Sequence, residues 1–316
     1  MKPLSELKVI GIPWHTAHQR ELSLLFKQYD LLENFYRVWG SVSRPMPSNM
    51  STVMDFKKED YDLAILHIDQ QCIEPRITKG LLFKEFRALT EGMPRVVINH
   101  MTPFHDQYEN DEVIERIKEM VGDIPMVVNS KEAAAQWGWG TPIIHGMKAE
   151  DWLDLPKEPR AVTALSPGGM NKAYRRELLH STIQMLEERG IALEWIQNTK
   201  KCNSWEEYKE YIGRSLVFAH LAWQSPMPRS RTEAMLSGCC IVTTKHHDIA
   251  NYIENGVNGF IVPDNPKVAA DLIEDLVLNR IKEAREIGQR GKEMAIREFS
   301  HERWANDWQT FLNSCY

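Results

Sequence analysis

The run Ser225-Pro-Met-Pro-Arg-Ser-Arg-Thr-Glu-Ala-Met-Leu-Ser-Gly-Cys-Cys-Ile-Val-Thr-Thr244 is followed, after a polar loop, by Asn255-Gly-Val-Asn-Gly-Phe-Ile-Val-Pro263. It reads as loop, helix, strand, loop, strand. The proline-rich, arginine-bearing loop ends at Ser230 or Thr232, either of which can cap a helix with its hydroxyl. A short helix is expected from Thr232 to Ser237, and Gly238 is placed to end it. Cys239 to Thr243 is apolar and β-branched, the composition of a strand buried in a parallel sheet.

The layout has a chemical reading. Glu233 falls in the first turn of the expected helix, beside backbone N–H groups that suit a diphosphate. Arg229 and Arg231 would add charge-assisted bonds to the same anion. An ionised Glu233 only accepts hydrogen bonds, which suits a sugar diol such as a ribose. The plainer alternative is that Glu233 complements the helix dipole and the arginines are solvated.

The stretch resembles the donor-site segment of the family 4 retaining glycosyltransferases, which have the GT-B fold. Their pattern is an acid, seven residues, a second Glu followed by Ala-Met, then Gly, an apolar strand and Asn-Gly-x-x-Gly. Here the second Glu is Glu233, before Ala234, Met235 and Gly238, and the later part matches over Ile253 to Pro263. Ser225 stands where the first acid, which contacts the transferred sugar, is expected. The resemblance is strongest over residues 225–316.

Length and composition agree with a two-domain globular protein. The chain has 316 residues, 43% hydrophobic and 26% charged, too rich in apolar residues for a disordered chain. A net charge of −6 gives no support for non-specific nucleic-acid binding. No apolar run approaches a membrane span, and the five scattered cysteines include no C-x-x-C pair. The N-terminus leads straight into a strand without a signal-peptide pattern, so a cytoplasmic protein with reduced thiols is expected.

Around the central stretch the chain alternates apolar runs with amphipathic helices. Strands are expected at 7–13, 34–39, 61–67, 94–99, 125–130, 160–165, 192–196 and 215–221, with a helix from about Arg20 to Tyr29. Three places in this alternation are candidate sites. The loop after the first strand holds His15, His18 and Gln19, where the family has a glycine-rich loop close to donor and acceptor; a polar first helical turn is the alternative. His100 follows an apolar strand and precedes a proline-containing loop; the family has a His here, near the donor sugar and its phosphates, and a structural histidine is the alternative. His105 is expected at the surface.

The third place is Ser166-Pro-Gly-Gly-Met-Asn-Lys172. Gly168 and Gly169 could bring N–H groups against phosphate. In the family an Arg and, six residues on, a Lys hold the diphosphate; Lys172 fits the Lys and Ser166 replaces the Arg.

The resemblance implies Rossmann-like domains over 1–146 and 147–300, facing across a cleft, with a final helix at 301–316 packing back on the first. Trp304, Trp308 and Phe311 would form its packing face. It also implies transfer of a sugar from a nucleotide-diphosphate sugar with retention, without cofactor or metal. His100, Lys172 and Arg231 would serve catalysis, and Glu233, Arg229, Ser225, Ser230, Thr232, Gly168 and Gly169 would bind the donor. The acceptor is open: a glycan or small molecule by default, a modified DNA base of the viral type as the alternative. A nucleotide-sugar epimerase and a non-catalytic nucleotide-sugar binder are the rival readings.

Overall fold

A computed structural model describes residues 2–33, 38–41, 44–165, 176–196 and 202–316. The chain divides into two compact units, Met1–Gly146 with His301–Tyr316, and Met147–Ser300.

The first unit runs β1 (Lys8–Gly11), α1 (Thr16–Ser23), β2 (Gln28–Leu32), β3 (Met50–Val53), β4 (Leu63–Ile68), α2 (Lys79–Leu89), β5 (Arg95–Asn99), α3 (Asn110–Val121), β6 (Met126–Val128), α4 (Lys131–Trp137) and β7 (Thr141–Pro142). Its seven strands lie in the order β3-β2-β1-β4-β5-β6-β7, every pair parallel. The central strands β1, β4, β5 and β6 are buried on both faces and largely apolar, and alternate residues serve different cores. Ala64, Leu66 and Ile68 join one core, Leu63 and Ile65 the other. Ser130 caps α4 by accepting from the Ala133 N–H at 2.9 Å, as Ser-x-x before an apolar helix predicts.

The second unit runs β8 (Glu158–Thr163), α5 (Arg176–Glu187), β9 (Leu193–Trp195), α6 (Trp205–Arg214), β10 (Ser215–His220), α7 (Arg229–Leu236), β11 (Cys240–Thr244), β12 (Phe260–Val262), α8 (Pro266–Leu278) and α9 (Ile281–Glu298). Its sheet is β12-β11-β10-β8-β9, again all parallel. Gly238 ends α7 at φ 73°, a left-handed position that glycine takes without strain. Gly288 lets α9 press on this turn: a Cβ there would lie 2.4 Å from the Gly238 carbonyl. Residues 147–157 pack against this unit, with Trp152 buried and its ring 5.2 Å from that of Trp205.

The last helix, α10 (His301–Cys315), belongs to the first unit. Trp304, Trp308, Phe311 and Leu312 are all buried in the core lined by Val9, Leu63 and Val96. The stripe is therefore a packing face.

Three local expectations are corrected. The helix expected to reach Tyr29 stops at Ser23, and Gln28–Leu32 is a strand whose Tyr29 and Leu31 are fully buried beside β1. Sheet pairing here overrides local helix preference. The strand expected at 34–39 is not seen at Val38 and Trp39, and Val38 is 73% exposed; residues 34–37 lie outside the described ones. Helix α7 begins at Arg229, so Ser230 and Thr232 are inside it and neither is its cap. The Pro228 carbonyl accepts the first turn's bond from the Arg231 N–H at 3.2 Å, which makes a hydroxyl cap unnecessary.

Candidate functional site

In open parallel sheets, ligands bind beyond the carboxyl ends of the strands where the strand order reverses. In the second unit β8 is the reversal strand, flanked by β9 and β10. The loop after β8 carries Gly168, Gly169 and Lys172, which lie outside the described residues. The loop after β10 leads into α7.

Helix α7 is buried on nearly every side. Arg229, Arg231, Thr232 and Glu233 are all buried, as is Ser225 ahead of the helix; Ser230 is half-buried. Glu233 therefore stands in the second turn, not the first, and accepts from the Tyr208 hydroxyl at 2.8 Å.

Arg231 is 1% exposed, and its side-chain partners among the described residues are neutral. Its Nη1 lies 3.0 Å from His246 Nε2 and 3.5 Å from Thr243 Oγ1, and its Nη2 lies 3.5 Å from Met227 Sδ. Burial pulls its pKa down to about 9. A guanidinium only donates, so His246 Nε2 must accept. The hydrogen of His246 is then on Nδ1, which donates to the Thr244 carbonyl at 2.9 Å. Burial, then the Arg231 charge, holds both His220 and His246 well below the usual histidine range. Burial likewise takes His247 down to about 4, against a smaller opposing pull from Asp248. One cation is thus surrounded by neutral imidazoles.

Two non-glycine residues near it have left-handed backbones, Met227 at φ 39° and His247 at φ 47°. Each such position costs on the order of 1–3 kcal/mol and persists only where the surroundings hold it.

In the first unit the strand order reverses between β1 and β4. The chain leaving β1 enters α1 through His15, whose Nδ1 accepts from the His18 N–H at 3.2 Å. Gln19 is fully buried and His18 nearly so. His100, just past β5, is half-buried. The ring of His100 lies 5.6 Å from that of His15 and 5.0 Å from that of His18. The structure thus gathers His15, His18, Gln19 and His100, together with His67 of β4, whose Nδ1 is 2.9 Å from His100 Nε2. His105, expected at the surface, is instead largely buried, 3.1 Å from Glu74 Oε1.

Sequence reasoning missed His67, Tyr208, His220 and His246. Two signals were present: a histidine inside the apolar strand Leu63–Ile68, and the pair His246-His247, which follows the strand ending at Thr244 after a gap of one residue. Among the described residues, no set of three or more His, Cys, Asp or Glu is placed to hold a metal ion. No helix among them is long and apolar enough to cross a membrane.

Comparison with known proteins agrees with this layout. Residues 184–294 match the family model described as glycosyl transferases group 1. Spore coat protein SA of Bacillus subtilis (strain 168) is 36% identical over 87 residues, 27% of this chain and 23% of that protein. The match therefore spans about a quarter of that curated relative's length. Anabaena HepE, in a crystal structure with UDP and glucose, aligns with a TM-score of 0.67 at 14% identity, covering 98% of this chain and 100% of that one. Sucrose-phosphate synthase from Thermosynechococcus elongatus gives 0.67 at 12% identity, covering 98% and 99%. At such identities these two likenesses are of fold. In the two parallel sheets of its fold and in the sequence of its second unit, this chain resembles the group 1 glycosyl transferases of GT-B architecture.

Proposed function

We propose that this chain transfers a sugar from a nucleotide-diphosphate sugar to an acceptor hydroxyl, with retention of configuration. The observation that carries the proposal is Arg231, a buried cation whose side-chain partners among the described residues, Thr243, His246 and Met227, are all neutral. An unpaired buried charge is costly, and a diphosphate would offset it with charge-assisted bonds. Glycosyl transfer builds negative charge on the departing diphosphate, so a donor held ready before the reaction stabilises the transition state most. In this reading Lys172 and Arg229 add charge, Ser225, Ser230, Thr232, Gly168 and Gly169 line the donor site, and Glu233 holds the ribose. His100 meets the sugar, and His15, His18 and Gln19 stand on the acceptor side. The acceptor is a glycan or small molecule. The five scattered cysteines, with no C-x-x-C pair among them, support a reducing, cytoplasmic location.

The UDP and glucose bound by Anabaena HepE make UDP-glucose the first donor to try. Incubation with a panel of nucleotide sugars should release free nucleoside diphosphate. An epimerised donor, or bound donor without turnover, would replace the proposal with an epimerase or a binding protein.

Glu233→Ala should raise the donor dissociation constant about tenfold to a hundredfold, the loss of hydrogen bonds to a charged group being worth roughly 1.5–3 kcal/mol. Calorimetry showing wild-type donor affinity in a folded variant would return Glu233 to a purely structural role with Tyr208.

The proposed reaction uses no metal, since side-chain cations and helix α7 supply the positive charge. Turnover should therefore continue in excess chelator. Its collapse, with recovery on adding manganese, would contradict this.

A further inference from the structure

Three side-chain amides stand at the carboxyl edge of the first unit's sheet, one at the end of each of the neighbouring strands β4, β5 and β6. They are Gln70, Asn99 and Asn129, which are 3%, 1% and 9% exposed. Asn99 uses both ends of its amide. Its Oδ1 accepts from the Met101 N–H at 3.2 Å, and its Nδ2 lies 3.8 Å from Met126 Sδ. Gln70 and Asn129 differ. The buried Oε1 of Gln70 and the buried Oδ1 of Asn129 have no hydrogen-bond partner among the described residues. A buried acceptor left unpaired costs free energy, so such groups are ordinarily satisfied.

The backbone that carries each amide is nevertheless fixed. Asp69, directly before Gln70, caps the single helical turn Gln70–Ile73 by accepting from the Gln71 N–H at 3.0 Å. Ser130, directly after Asn129, caps α4. Pairing register brings the two positions to one place: Ile68 lies opposite Asn99, and Asn99 opposite Val128. Only β5 separates the strands that lead into them, about 9–10 Å of backbone at the usual strand spacing. One sugar ring with its hydroxyls spans such a gap.

The charges beside Gln70 are already matched, since Lys79 Nζ donates to Asp69 and, at 2.7 Å, to Gln71 Oε1. The group that suits the two amides is a hydroxyl. It donates to an amide oxygen and accepts from an amide N–H, so it fits either orientation of the amide. The terminal torsion of Asn and Gln is soft, so each amide can turn its unpaired end toward a ligand.

We propose that Gln70 and Asn129 form a subsite for the hydroxyls of a neutral sugar, which makes the acceptor a glycan and not a DNA base. The subsite lies beyond the carboxyl ends of parallel strands, where such sheets take their ligands. This rests on the reading that the first unit takes the acceptor.

The test is a titration of the full chain, 15N-labelled at Asn and Gln, with the methyl glycosides of glucose, galactose, mannose and N-acetylglucosamine. It is followed through the side-chain NH2 resonances of Gln70 and Asn129. At least one glycoside should shift both resonances saturably. Gln70→Met and Asn129→Leu keep the volume and remove the amide. Each should weaken that binding about threefold to tenfold, the worth of one hydrogen bond, with donor affinity within about twofold. Wild-type glycoside affinity in both folded variants overturns the proposal. So does a wild-type protein in which no glycoside shifts either amide, a result that needs no variant to fold. Transfer to a DNA duplex carrying 5-hydroxymethylcytosine, with no glycoside bound, would replace the glycan by DNA. The expected shifts without transfer from any nucleotide sugar would uphold the subsite and refute the transferase reading instead.

Discussion

Arg231→Ala is expected to lower kcat by about 10²-fold while weakening nucleotide-sugar binding much less. The reason is where charge grows. The bound donor already carries its diphosphate, but the leaving group gains a further charge only as the glycosidic bond breaks. Arg231 is held for that moment by His246, Thr243 and Met227, with His246 itself fixed through Thr244. Arg229→Ala should do less. The two arginines are two positions apart on α7, about 200° around the helix, so they leave it in nearly opposite directions. Wild-type turnover in both single variants and the double variant would show that the diphosphate is held by other groups.

The same residue yields a stability prediction of opposite sign. Arginine keeps its charge at neutral pH even when burial lowers its pKa to about 9. The folded-state pKa lies below the unfolded one, so the unfolded chain holds the proton more tightly. The destabilising effect is therefore fully present below about 9 and fades only as pH rises beyond it. Arg231→Met, similar in length and uncharged, should make the ligand-free protein more stable by about 1–4 kcal/mol while losing activity. Adding a nucleoside diphosphate should raise the melting temperature of the wild type and not of this variant. A less stable Arg231→Met with intact packing would mean the guanidinium is compensated in the ligand-free protein.

Trp308→Ala should cost the first unit about 3–5 kcal/mol, the usual range for emptying a buried aromatic site. Trp308 is 1% exposed and packs in the core lined by Val9, Leu63, Ile65 and Val96. Its Nε1 has no hydrogen-bond partner among the described residues, so its stabilisation comes from packing alone. Trp308→Phe, which leaves a smaller cavity, should accordingly cost less than Trp308→Ala. Unfolding should be followed with probes in each unit, because a two-unit chain need not melt in one step. The transition of the first unit should fall in Trp308→Ala while that of the second holds. Equal costs for the two substitutions would imply that the indole N–H, and not its volume, matters.

Much of the fold was legible along the chain. Runs such as Leu63–Ile68 and Cys240–Thr244 are apolar on both faces, which only a covered parallel strand requires. Gly238 marks the end of α7 because a left-handed residue was needed there. These signals are local: each depends on residues within one or two turns of one another. The segment 225–263 also carried the family resemblance, since its helix, strand and Asn-Gly turn stand at set spacings.

What the sequence could not decide lay in pairings between distant residues. Gln28–Leu32 became a strand because β1 offered it a parallel edge, and no local pattern records that offer. His67 and His100 are 33 residues apart and meet only because β4 and β5 lie side by side. Arg231 and His246 are 15 apart, joined across α7 and the loop after β11. Along the chain an arginine beside a helix reads equally as a solvated surface group or an anion ligand. Burial separates the two, and burial is a property of everything packed around a residue, settled only when both sheets have formed.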